Sequence, residues 1–377
     1  MAPVTRRLTP SSFLACTTSV QARNDLVVML GHGRPRRHTL PGQPSRLESV
    51  PPRARSRLVV ALVAAAAAAL VVGITLLQSG DGAPPQAAEQ DERRAPPLEL
   101  GLLLRHDPQA RAFREAEQAL DAGRREEARR RFDRLLDADS SSVEAAVGAA
   151  IAAWPDGTVA RLRQLVAEHP KSGVARLHLG FALLASGDEG AAAREWRETE
   201  QRDPDSPAAL RAEDVLHPTI APGRPPFVAD LARPAGLESL PPARQLAALR
   251  RRARTGGAGA WLLLGTAYQR IGRPVSAQHA FGRAAELAPR SLAALVADAV
   301  GRFDKDDPSQ TFSRLGPLAR EHPAAAIVRY HLGLCLSWLG GVGEAKRQLR
   351  LAREADPDGL YGREAARLLD RLEAAGT

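Results

Sequence analysis

Cysteine is nearly missing from this chain: Cys16 and Cys335 are the only two, which excludes a disulfide framework as the basis of the fold. Aromatic residues make up only 4%. With so few aromatics and so much Ala, Leu, Arg and Glu, helix is favoured over sheet, because unbranched side chains lose little rotamer freedom in a helix. Also missing are a metal-ligand cluster, a nucleophile elbow and a phosphate loop. The nearest approach, Gly340-Gly341-Val342-Gly343, lies at an inter-helix turn rather than behind a strand. No catalytic residue, cofactor or metal is therefore expected, and the chain reads as a non-enzyme.

The formal net charge is +9, but it is unevenly spread. Residues 1–57 hold ten arginines against Asp25 and Glu48, while the remaining 42 basic and 41 acidic residues nearly cancel. The basic character thus belongs to a tail. Phe13 is the sole aromatic residue in it, so there is no stacking platform and nucleic acid is not an expected partner. Pro, Gly, Ser and Arg accumulate from Gly31 to Arg57, with too little apolar surface to offset ordering entropy, so residues 1–57 are expected to be disordered. The tail arginines suit contact with anionic lipid headgroups.

Leu58 to Leu77 is an uncharged run of twenty residues, which as a helix spans about 30 Å, the thickness of a bilayer's hydrocarbon core. Arg53, Arg55 and Arg57 flank its start, whereas its far side has Asp81 and Glu89 before any basic residue. The positive-inside rule then places the N-terminus in the cytoplasm of a bacterial-type cell and everything beyond Gln78 outside, with Cys16 and Cys335 on opposite sides of the membrane. Residues 78–97 read as a Pro- and Ala-rich spacer. Residues 98–216 and 243–377 read as two helical blocks, and the Pro-rich stretch 217–242 between them as a hinge or a crossing strap.

Within the second block, Trp261, Leu264, Gly265, Tyr268, Ala277, Phe281, Ala284 and Pro289 occupy positions 4, 7, 8, 11, 20, 24, 27 and 32 of a 34-residue unit that starts at Ala258. Pro289, Pro323 and Pro357 follow the same 34-residue period, as do Pro170 and Pro204. Glu168-His169-Pro170 and His178-Leu179-Gly180 recur 153 residues later as Glu321-His322-Pro323 and His331-Leu332-Gly333, which points to a duplicated three-unit module. Each module ends in an extra helix, at 206–216 and 360–374. Small residues at fixed positions let two antiparallel helices approach, and large ones fill the space between them. The pattern resembles the tetratricopeptide repeat, and the implied fold is all-α, a superhelix of helical hairpins in two three-unit blocks.

The resemblance implies a concave groove lined by the first helix of each unit. In the second block its lining would be Leu262, Thr266, Gln269, Arg270, Val296, Val300, Phe303, Tyr330, Leu334 and Trp338, joined in the first by Leu177, Phe181 and Leu184. The groove lacks the Lys and Asn with which some relatives hold a peptide's terminal carboxylate, and its apolar character suits an amphipathic helix or an extended apolar segment, with Tyr330 and Trp338 as anchors. Alternatively, the Pro-rich strap covers it. His178 and His331 read as structural, and Cys335 as core. The layout resembles membrane-anchored tetratricopeptide proteins that assist envelope assembly, so the expected function is a tethered adaptor for a protein or peptide partner. The alternative is a transmembrane sensor that signals through its basic tail.

Overall fold

The structure, a computed structural model, describes residues 95–102 and 109–374, all within one compact unit. The expected tail, the run Leu58–Leu77 and most of the spacer lie outside the described residues. Among those described, no helix is long and apolar enough to cross a membrane, and there is no strand.

Fifteen helices are described. The first block contains α1 (Gln109–Asp121), α2 (Arg125–Ala138), α3 (Val143–Ala152), α4 (Thr158–Glu168), α5 (Gly173–Ala185), α6 (Glu189–Arg202) and α7 (Pro207–Leu216). The second contains α8 (Pro242–Thr255), α9 (Ala258–Arg270), α10 (Pro274–Leu287), α11 (Leu292–Gly301), α12 (Ser309–Glu321), α13 (Ala326–Trp338), α14 (Val342–Ala355) and α15 (Leu360–Ala374). Helices α1 and α9 are both 13 residues long, α2 and α10 both 14, α3 and α11 both 10, and α5 and α13 both 13. Duplication is therefore visible in the lengths of the elements as well as in their residues. Helix α8 has no such match in the first block among the described residues.

The regular hairpins turn on a glycine at position 15 of the unit: Gly123, Gly187, Gly272 and Gly340, with φ between 70° and 84°. A left-handed backbone there closes the first helix and reverses the chain at no steric cost. The middle unit of each block has a longer connection instead, 153–157 between α3 and α4 and 302–308 between α11 and α12, the first ending on Gly157 at φ 67°. Serines 142, 172, 206 and 291 each cap the following helix by accepting an N–H three residues on, an interaction that stabilises a helix start by about 1 kcal/mol.

Packing within the hairpins follows the small-against-large rule that the repeat pattern predicts. Phe281 of α10 is fully buried between Gly265 of α9 and Gly301 of α11, and a Cβ on either glycine would come within 3.0 Å of its ring. Trp196 of α6 lies as closely against Gly180 of α5, and its indole N–H donates to Leu177 O at 3.2 Å.

Helix α7 ties the blocks together. Asp205, just ahead of it, accepts the Ser276 backbone N–H at 2.8 Å and the Ser276 hydroxyl at 2.5 Å, near the start of α10. Asp214 pairs with Lys305, whose side chain is wholly buried. It also accepts the Gly223 N–H at 2.7 Å. Glu213 pairs with Arg224 at 3.0 Å and accepts the Lys305 N–H at 3.3 Å.

Candidate functional site

The side chains expected to line an open groove are mostly enclosed. Leu262, Val296, Val300, Phe303, Tyr330 and Leu334 are buried, Thr266, Gln269 and Trp338 are half-buried, and Arg270 alone is exposed. In the first block, Leu177 and Phe181 are buried and Leu184 is 45% exposed. What encloses the second block's face is the chain itself. The stretch between α7 and α8 runs over it as an extended strap, the arrangement the sequence offered as the alternative to an open groove.

Residues 224–228 of this strap read Arg-Pro-Pro-Phe-Val. Two consecutive prolines hold the backbone extended and remove its own hydrogen-bond donors, so the first free amides come at Phe227 and Val228. Phe227 N–H donates to Gln269 Oε1 at 3.2 Å, and Val228 N–H donates to His331 Nε2 at 3.0 Å. The Phe227 ring, 3% exposed, stacks on His331 at 5.1 Å and meets Phe281 edge-on at 5.4 Å. It joins Leu262, Val296, Val300 and Phe303 in one apolar cluster, while Val228 packs against the cluster of Tyr330, Leu334 and Tyr361. Burying a phenylalanine stabilises by about 2 to 3 kcal/mol.

Trp338, expected to anchor a partner, anchors the strap: its indole N–H donates to Gly223 O at 3.2 Å, and its carbonyl accepts the Ala221 N–H at 3.2 Å. Tyr361 donates its hydroxyl to Val228 O at 3.3 Å, and burial pushes its phenol up to about 12. Tyr330 contributes only ring contacts, at 5.0 Å to His331 and 6.0 Å to Tyr361.

The electrostatics of His331 follow from its two partners. Its Nδ1 lies 2.7 Å from Ile327 O, a group that can only accept, so the proton sits there. That leaves Nε2 as an acceptor for the strap amide. Burial lowers the pKa of this ring to about 4, so it is neutral at pH 7.

The first block holds the same arrangement. Residues 96–99 read Pro-Pro-Leu-Glu, and Glu99 N–H donates to His178 Nε2 at 3.0 Å. His178 Nδ1 lies 2.7 Å from Val174 O, and burial again lowers its pKa to about 4. In both straps the first proline is buried and the second exposed. The backbone of Leu100, two residues beyond Phe227's counterpart Leu98, hydrogen-bonds the Glu117 carboxylate on α1, whose pKa burial raises. Arg211 of α7 closes over this strap through Glu99 at 2.9 Å.

Sequence reasoning placed Gln269, Tyr330 and Trp338 in a groove for a partner; in the structure they face Phe227 and Val228, which it did not identify. The signal was present. A Pro-Pro-apolar triplet precedes each block, at Pro96-Pro97-Leu98 and Pro225-Pro226-Phe227, and it is duplicated together with the histidines.

A second concavity, of about 520 Å³, lies where α7 meets the second block, bordered by Glu200, Glu213, Arg224, His217, Asp304 and Asp306. Its charges are largely paired, with His217 3.0 Å from Asp306 and Arg224 3.0 Å from Glu213. Burial, then the charges of Glu213, Asp306 and Asp304, raise the Glu200 pKa to about 7. Cys335 is fully buried as a free thiol, and burial pushes its pKa well above the usual range. Among the described residues no group of three or more His, Cys, Asp or Glu could hold a metal ion.

No protein-family model matches the chain, and no curated protein does. Among solved structures it is similar to the human IFIT1 dimer with m7Gppp-AAAA, at 16% identity over 71% of this chain and 63% of that one, with a TM-score of 0.29. It is also similar to a thermophilic TPR protein of Thermus thermophilus, at 18% identity over 51% and 97%, with a TM-score of 0.25. The third is the TPR2AB domain of yeast Sti1 in its pHSP90 complex, at 13% identity over 70% and 96%, with a TM-score of 0.25. The chain spans less than two-thirds of the length of IFIT1. At these scores the likenesses carry no argument of their own, and the all-α hairpin array rests on the helices described above.

Proposed function

We propose that this chain is a non-catalytic scaffold that holds a protein or peptide partner, tethered to a membrane through Leu58–Leu77 with its helical blocks on the extracytoplasmic side. The observation that carries the scaffold reading is the pair of helix-lined grooves, each holding an extended segment through its main chain. Such a groove has the shape and the donor-acceptor chemistry for peptide recognition. Support for the tether comes from the uncharged run and from the arginines at its start, which also suit anionic lipid. Assistance in envelope assembly fits that placement.

A photo-crosslinking residue at the uncovered positions Leu184 and Arg270, introduced one at a time into the full chain in intact cells, tests this. The expected result is a defined extracytoplasmic protein attached to a chain that stays in the membrane pellet after alkaline carbonate extraction. A chain released by carbonate would refute the tether, and capture of cytoplasmic proteins alone would refute the orientation. The absence of any crosslinked protein from both positions would count against the scaffold.

A further inference from the structure

We propose that the groove of the second block is a receptor for an extended Pro-Pro-aromatic segment of a partner protein, and that the strap Gly223–Leu231 is an occupant in cis which such a segment displaces. This rests on the scaffold reading and specifies the chemistry of its ligand.

Three observations carry it. The chain contains two occupants of unlike sequence, Leu98-Glu99 and Phe227-Val228, seated on equivalent histidines with nearly identical geometry. A site that accepts leucine and glutamate in one copy and phenylalanine and valine in the other recognises the main chain and the Pro-Pro turn of direction, with side chains as modifiers. The strap is also a separate element from the helices it covers. Helices α9 to α15 pack on one another, and each of their backbone ladders is internal. The strap, by contrast, lacks regular secondary structure. Leaving the groove therefore breaks no helix. Finally, within the groove its polar attachment consists of single hydrogen bonds to side chains, Gln269, His331, Trp338 and Tyr361, beside the burial of Phe227 and the Gly223–Asp214 and Arg224–Glu213 contacts at its start. Each of these four hydrogen bonds is worth little net free energy, and each is available to an equivalent segment arriving in trans.

A partner segment of the form Pro-Pro-Phe/Leu-X, extended and with a free amide at X, meets Gln269, His331 and Tyr361; Trp338 is reached only by a carbonyl two residues ahead of the first proline, as in Gly223. A segment with proline at X fails, because it has no N–H for His331. A cis occupant lowers the apparent affinity for any such segment by the fraction of time the groove stands open, so the strap acts as a threshold on partner binding.

The test uses the full-length chain and a labelled synthetic peptide of residues 224–231, Arg-Pro-Pro-Phe-Val-Ala-Asp-Leu. In a chain carrying Phe227→Ala with Val228→Pro, fluorescence anisotropy is expected to show binding at least about tenfold tighter than to the unaltered chain. A peptide with proline in place of valine is expected to bind about tenfold more weakly than the parent peptide. Equal binding of the two peptides, or no gain in the altered chain while its helical circular dichroism and cooperative melting are retained, would overturn the proposal. So would a doubling of mass by sedimentation, which would give the groove to a second copy. Because the altered chain could unfold, hydrogen exchange on the unaltered chain supplies an independent reading. The Phe227 and Val228 amides are expected to exchange at least about tenfold faster than those of Leu332 and Leu334 in α13. Exchange of strap and helix at one common rate would mean that the strap leaves only on unfolding. The peptide assay reads the groove directly, so a native partner missing from the crosslinking experiment would count against the scaffold and leave this result intact.

Discussion

Acidification from pH 7 to pH 5 should weaken both straps, and the size of the effect follows from the two buried histidines. Each ring is neutral in the folded chain, with a pKa lowered to about 4 by burial, against 6.5 for the exposed side chain. Above 6.5 both folded and unfolded forms are neutral and nothing is lost. Below 6.5 the unfolded chain takes up protons that the folded chain refuses, so stability falls with pH until about 4, where the folded rings are also protonated. By linkage, the loss at pH 5 is about 2 kcal/mol for each histidine and about 4 kcal/mol for the pair. Protonation at Nε2 would also turn the strap's acceptor into a second donor facing the Val228 or Glu99 amide. Glu200 acts in the opposite direction: its pKa, raised to about 7, makes acidification favourable for that group. The assay is therefore differential. Urea unfolding of the wild-type chain and of a His178→Gln, His331→Gln variant, each at pH 7.5, 6.0 and 5.0, separates the histidines from everything else, since glutamine keeps a neutral donor and acceptor. The wild type is expected to lose about 4 kcal/mol more than the variant between pH 7.5 and 5.0. Parallel pH profiles for the two chains would refute the assignment of His178 and His331 as neutral acceptors.

Other perturbations separate packing, turn geometry and charge. Gly265→Ala forces a methyl group into the Phe281 ring and is expected to cost about 1 to 3 kcal/mol by denaturant unfolding. Gly272→Ala imposes a side chain on a left-handed turn, φ 70°, beside Pro207, and should cost about 1 kcal/mol or more in the same assay. Lys305→Met strands the Asp214 carboxylate at the block junction and should destabilise by about 3 to 5 kcal/mol. Arg283→Ala removes an exposed pair with Glu286 and should change stability by less than about 1 kcal/mol.

Much of this fold was legible because its determinants are local and periodic. Gly265 and Phe281, or Gly180 and Trp196, meet within one hairpin, so a 34-residue count finds both partners. The strap was harder to read. Val228 and His331 are 103 residues apart, Glu99 and His178 are 79 apart, and no periodicity links a main-chain amide to a distant imidazole. The residues expected to line a groove therefore did not reveal what covers them: Tyr330 and Leu334 lie under an extended segment of the same chain. The histidines looked structural from their duplication, but only coordinates could show that each faces a Pro-Pro segment. The middle units were the least legible of the hairpins, because the longer connections 153–157 and 302–308 replace the three-residue turns of the others.

A stack of helical hairpins ordinarily behaves as a one-dimensional chain in which each unit knows only its neighbours and fraying starts at the ends. The straps change that. Phe227 and Val228 touch Gln269 in α9, His331 in α13 and Tyr361 in α15, so a single extended segment bridges the block from its first repeat to its closing helix. While its strap is seated, each block is coupled from end to end, and when the strap leaves, the block returns to nearest-neighbour coupling. During synthesis the strap emerges first and waits for a histidine about a hundred residues behind it, so the last contact to form is the one that tells the block it is complete.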